Sequence, residues 1–207
     1  MKRRIPFVTS VVLALFLVTS MNCPPVFGAE SPTEALKAQA DSVLAVLKSE
    51  KYEQASAEQR MDMLLAVSED FFNKEEIAKR TLAVHWKRFS EEQREEFIDL
   101  FTEFLKQNYF GKLQDFEYEN EEVLYLAEDL ADSRARVKTM IVTADKEIPV
   151  NYSLIQKNGQ WQIYDARIEG VSMVQNYRSQ FNGILNKNDP EYLLDLLRKK
   201  LEQPAEG

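Results

Sequence analysis

Apolar residues recur through the first half of the chain at the spacing of helix faces, and each run begins with a start signal. Ser31-Pro32-Thr33-Glu34 is a capping box with proline at the first helical position, and Leu36, Ala40, Val43 and Leu47 follow on one face. The pattern predicts a helix from there to about Lys51. Ser56-Ala57-Glu58-Gln59 repeats the signal ahead of Met61, Leu64, Leu65 and Val67, and Asn73 with Glu76 repeats it ahead of Ile77, Leu82 and Trp86. Ser90-Glu91-Glu92-Gln93 heads the longest predicted helix, which reaches about Gly111. It carries Phe97, Leu100, Phe101, Phe104, Leu105 and Tyr109 on a broad apolar face.

From Phe116 the period changes to two. Val123 to Ala127 is a short apolar run, and Arg134 to Thr143 alternates with Ala135, Val137, Thr139 and Ile141 on one side. Ile148, Val150, Tyr152 and Leu154 alternate likewise, and Trp161 to Ile168 runs back after Asn158-Gly159, a pair suited to the positive φ angles of a type I′ turn. Pro149 lacks a ladder donor and belongs at an edge, a strand start or a bulge. The links at Asp129 to Ser133, Ala144 to Lys146 and Lys157 to Gly159 are short and polar, which favours antiparallel neighbours and a four-stranded meander. At Glu169-Gly170 the helical period returns, with Val171, Val174, Phe181 and Leu185 on one side and Met173, Tyr177 and Ile184 beside them. Asp189-Pro190 caps a last amphipathic helix through Leu193, Leu194, Leu197 and Leu201. Helices, then strands, then helices predict an α+β fold, an antiparallel four-stranded meander sheet covered by helices on one face. A curved sheet closed in this way can enclose an apolar cavity between the layers.

The first residues belong to a different class of segment. Lys2, Arg3 and Arg4 precede an apolar run from Ile5 to Val18, and Val26-Phe27-Gly28-Ala29 offers small residues for cleavage. Residues 1–28 are expected to be a signal peptide, 29–203 a single domain and 204–207 a tail. Cys23, the one cysteine, follows Asn22, a poor neighbour for a lipidation site; cleavage after Gly28 leaves a chain without thiol or disulfide. Loss of Lys2, Arg3 and Arg4 takes the net charge from −8 to −11. A chain so acidic is repelled by nucleic acid and by anionic bilayer surfaces, so no nucleic-acid partner is expected and any lipid must be met through a pocket or a docked protein. With no heptads and no swapped arm, a monomer is expected.

Catalytic chemistry has little to draw on. The six glycines form neither a phosphate-binding loop nor a dinucleotide fingerprint. His85 is the sole histidine, which excludes zinc motifs built on two, and no nucleophile elbow occurs to complete a triad. Adjacent acids such as Glu75-Glu76 and Glu91-Glu92 point about 100° apart on a helix and read as solvated first turns. Asp165 and Glu169 sit inside the apolar hairpin-to-helix stretch; a structural role is expected, with Asp165 pairing an arginine such as Arg178. The chain is not expected to be an enzyme, and no cofactor or metal site is expected. The aromatic and aliphatic excess remains, and the residues alone favour a filled core over a pocket.

The run PVNYSL, followed by GQWQIYDARIEGVSMVQNYRSQF, resembles the signature of the MlaC or toluene-tolerance family of periplasmic phospholipid-binding proteins. The stretch from Phe71 through Trp86 into SEEQREEFIDLFTEFLKQNY is similar to that family's central helices. The resemblance implies a periplasmic carrier whose cargo, a phospholipid, keeps its acyl chains between sheet and helices. It points to Val150, Tyr152 and Leu154 on one strand, Tyr164 and Ile168 on the next, Val171, Met173, Val174, Tyr177 and Phe181 on the following helix, and Phe101 and Leu105 on the longest one. It implies two protein partners: an inner-membrane ABC transporter complex with a lipid-binding periplasmic subunit, and an outer-membrane lipoprotein associated with porin. Asn151, where an acid is common, and Ala166-Arg167 depart from the family pattern. A carrier of polycyclic lipids such as hopanoids, and a periplasmic peptide-binding or chaperone module, are the competing expectations.

Overall fold

A computed structural model describes residues 31–110 and 121–202. The expected signal peptide with Cys23, the predicted helix end at Gly111, the strand onset at Phe116 and the tail lie outside these residues.

Each helix starts on a side chain that accepts a hydrogen bond from the amide three residues on, which satisfies one of the donors a helix N-terminus leaves free. Ser31 does this for α1 (Pro32–Leu47), Ser49 for α2 (Glu50–Glu53) and Ser56 for α3 (Ala57–Ser68). Asn73 does it for α4 (Lys74–Leu82), Ser90 for α5 (Glu91–Leu105), Ser172 for α6 (Met173–Leu185) and Asp189 for α7 (Pro190–Leu201). The predicted first helix stops early because the Ser49 hydroxyl donates to the Val46 carbonyl and accepts from the Tyr52 amide, which restarts the chain as α2. Short 3₁₀ turns at Glu69–Phe71 and Ala83–Arg88 flank α4, and α5 runs on into a wide π turn at Lys106–Phe110.

The strands are β1 (Glu122–Ala131), β2 (Arg134–Val142), β3 (Glu147–Lys157), β4 (Gln160–Ile168) and β5 (Val171–Ser172), antiparallel and in sequence order. The meander thus has five strands where the alternation predicts four. The fifth is two residues long, too short to show a period, and it is made by a second tight turn. Glu169 and Gly170 have φ of 47° and 87°, matching Asn158 and Gly159 at 54° and 83°, the positive pair of a type I′ hairpin. Pro149 is the third residue of β3, one position before the Val150–Ile168 pair that ends the ladder with β4.

Two apolar cores result. In the first, alternate residues of β2, β3 and β4, among them Val137, Ile141, Val150, Tyr152, Leu154 and Ile163, pack against Leu36, Ala40 and Leu44 of α1 and Leu64 of α3. The second is wholly helical at its centre, with Phe97 and Phe101 of α5, Phe181 and Leu185 of α6, and Leu193, Leu194 and Leu197 of α7. Phe72 packs against both, and it pairs with Ile163 of β4 in an isolated bridge where the Asn73 amide donates to the Ile163 carbonyl over 2.9 Å.

Candidate functional site

Where the two cores meet, α3, α4, α5 and the start of α6 leave a cavity of about 100 Å³. Its apolar wall is Leu65, Phe72, Ile77, Phe101, Leu105 and Met173, and its polar residues are Ser68, Glu69, Lys74, Thr102 and Lys106. Each wall residue comes from the inward face of an amphipathic helix or from the Phe72 strap, so burial of the two cores creates the space between them. The wall is stiff on one side: Phe101 stacks on Phe97 at 5.3 Å between ring centroids and meets Tyr177 and Phe181 edge-on at 5.3 and 5.4 Å. Leu65, Phe72, Leu105 and Met173 of the wall are only half-buried.

Of the residues expected at the site, the structure brings Phe101, Leu105 and Met173 to this cavity. Val174, Tyr177 and Phe181 are buried behind it in the helical core. Val150, Tyr152 and Leu154 pack instead in the sheet core, with Ile168 at its margin, because α1 and α3 cover that face of the sheet. Tyr164 is unpaired in a β4 bulge, since Leu154 faces Ile163 and Ser153 faces Asp165; its ring lies 4.0 Å under the Arg80 guanidinium. Val171 is a correction to the helical reading: it sits in β5, not on the helix, and is 64% exposed. Leu65 and Ile77 stood on predicted helix faces, and Phe72 lies within the stretch similar to the family's central helices. Nothing in the sequence marked Glu69, Lys74, Thr102 or Lys106, whose proximity is created by the tertiary fold.

Asp165, Arg178 and His85 tie separate elements together. Asp165 does not meet Arg178; its carboxylate accepts from the Ser172 hydroxyl at 2.6 Å and the Val174 amide at 3.0 Å, fixing the first turn of α6 to β4. Arg178 donates instead to the Arg80 carbonyl at 2.8 Å. Buried His85 faces Arg88 through Nδ1 at 3.1 Å and Asn182 Oδ1 through Nε2 at 2.9 Å. Arginine cannot accept, so Nδ1 is the acceptor and Nε2–H donates to Asn182. Among the described residues no group of three or more His, Cys, Asp or Glu could hold a metal ion, and no helix is long and apolar enough to cross a membrane.

The family model described as MlaC protein matches residues 37–199, which span both cores and the cavity. The chain belongs to the MlaC family. A curated MlaC-family relative, the intermembrane phospholipid transport system binding protein MlaC of Haemophilus influenzae, is 29% identical over 140 residues. That match covers 65% of this chain and 64% of the relative, so the chain spans just under two thirds of its length. Among solved structures, a phospholipid-binding protein from Ralstonia solanacearum in complex with a phospholipid superposes with a TM-score of 0.72 at 21% identity, over 83% of this chain and 97% of that one. This likeness carries the fold, an MlaC-type α+β arrangement.

Proposed function

We propose that this protein is a periplasmic phospholipid shuttle that carries lipid between the inner and outer membranes with its acyl chains in the cavity bounded by α3, α4, α5 and α6. The observation that carries the reading is that cavity: an apolar space inside an MlaC-family fold, with polar groups confined to a few residues. The physical need is large. At about 0.8 kcal/mol per methylene, two chains totalling roughly 30 methylenes represent about 24 kcal/mol of exposure, so free lipid crosses water very slowly.

A volume of about 100 Å³ holds the leading carbons of one chain; an engineered cavity of about 150 Å³ admits benzene. Full loading therefore requires the half-buried wall residues, Leu65, Phe72, Leu105 and Met173, to move outward. The sequence carries no nucleotide-binding loop, so the direction of transfer is assigned to partners: an inner-membrane ABC transporter complex with a lipid-binding periplasmic subunit, and an outer-membrane lipoprotein associated with porin.

Solvent extraction of the purified protein followed by mass spectrometry is expected to yield diacyl phospholipid. A polycyclic lipid, or a bound peptide with no lipid, would overturn the reading. Leu105→Glu puts a carboxylate on the cavity wall and is expected to reduce lipid recovery at least fivefold with the circular dichroism spectrum retained, since burying an unpaired charge is costly. Val171→Glu, on exposed β5, is expected to leave recovery unchanged.

A further inference from the structure

Two lysines from different elements flank the apolar cavity. Lys74 opens α4 and Lys106 follows the last residue of α5, and both belong to its lining. Each meets an acid: Lys74 Nζ lies 2.5 Å from Glu69 Oε1, and Lys106 Nζ lies 3.4 Å from Glu103 Oε2. The lysine side chains are 35% and 31% exposed, and their acids 58% and 51%. Each lysine side chain is thus more covered than the acid it meets, and both line the cavity. Glu69 feels both cations. A hydrogen bond from Lys74 holds its carboxyl below the usual range, and the charges of Lys74 and Lys106 add to the effect.

A ligand that satisfies this arrangement has an apolar tail and a compact anion where the tail leaves the cavity. We propose that Lys74 and Lys106 hold the phosphodiester of a bound phospholipid, and that Glu69 takes the place of that phosphate on Lys74 when no lipid is bound. The inference rests on the reading of the cavity as an acyl-chain site. Exchange is easy because exposed ion pairs contribute little, whereas a phosphate accepts charge-assisted bonds from both ammonium groups at once. Thr102 lines the same space and carries a hydroxyl that can donate. The site ends at the phosphate, so it distinguishes lipids with and without one and is indifferent to the alcohol beyond it.

Delipidated protein titrated with dioleoyl-phosphatidylglycerol and with dioleoylglycerol, each displacing a fluorescent lipid probe, tests this. Wild-type protein is expected to bind the phosphatidylglycerol roughly tenfold tighter at low salt, with phosphatidylethanolamine close to it. The double variant Lys74→Met, Lys106→Met is expected to lower phosphatidylglycerol to the level of dioleoylglycerol and leave dioleoylglycerol unchanged. Glu69→Gln removes the competing carboxylate and is expected to tighten phosphatidylglycerol about two- to threefold. A double variant that keeps the ratio, or that weakens both lipids in parallel, overturns the phosphate site. Equal binding of the two lipids by the wild type does the same while leaving the acyl-chain reading intact; if inorganic phosphate then binds alone, the lysines belong to the free anion. Wild-type protein that binds neither lipid overturns both readings.

Discussion

Ala83, between α4 and the following 3₁₀ turn, has φ of 50° and ψ of −115°, a conformation that suits glycine and strains any residue with a Cβ. Buried Leu82 precedes it, and buried His85 anchors the chain two residues on, past exposed Val84. Ala83→Gly is expected to raise stability by about 1 kcal/mol, the strain released exceeding the extra unfolded-state entropy, as read from the midpoint of urea unfolding. A lower midpoint would show that the strain is not there. The Asp165 carboxylate is settled just as locally. An acid inside an apolar stretch invites a search for an arginine, yet two short hydrogen bonds at a helix N-terminus satisfy it. Val171 is the converse: an apolar residue at helix spacing that a two-residue hairpin turn carries out to solvent.

At the scale of elements, α5 supplies the centre of the aromatic cluster in the helical core. Phe97 is fully buried, stacks on Phe101 and meets Phe89 and Phe181 edge-on at 5.8 Å each. Phe97→Ala is expected to cost about 3–5 kcal/mol in thermal or denaturant unfolding and to loosen the cavity wall through Phe101. Most element starts were legible in the sequence, because capping residues act within one helical turn and each of Ser31, Ser56, Asn73, Ser90 and Asp189 caps as its pattern predicts. Helix ends were less so: Ser49 interrupts the first helix by a hydrogen bond within its own turn, and the π turn at Lys106–Phe110 has no periodic signature. The candidate site was legible only in part. Alternation shows that Val150, Tyr152 and Leu154 face inward, but both an acyl chain and α1 would satisfy that face, and only the packing of α1 distinguishes them. Lys74 and Lys106 are far apart in sequence, so no local pattern joins them.

At the scale of the whole molecule the sheet core carries a response to high pH. Tyr152 and Tyr125 belong to the sheet half, and burial pushes the hydroxyl of each well above the usual tyrosine value of about 10. Their neutral forms are favoured in the folded state, so the unfolded chain holds fewer protons once pH passes about 10. The stability they contribute is complete below that pH and is lost as pH rises above it. Unfolding followed by tyrosinate absorbance is expected to become easier above pH about 10, and replacing Tyr152 by Phe is expected to flatten the slope. Ionisation of Tyr152 without unfolding would refute the assignment. The helical half meets the sheet at Phe72 and its bridge to Ile163, and the cavity lies at that seam, walled by helices. A guest too large for the space can thus be admitted by spreading helices like fingers from a fixed palm, while the strands keep every rung of their ladder.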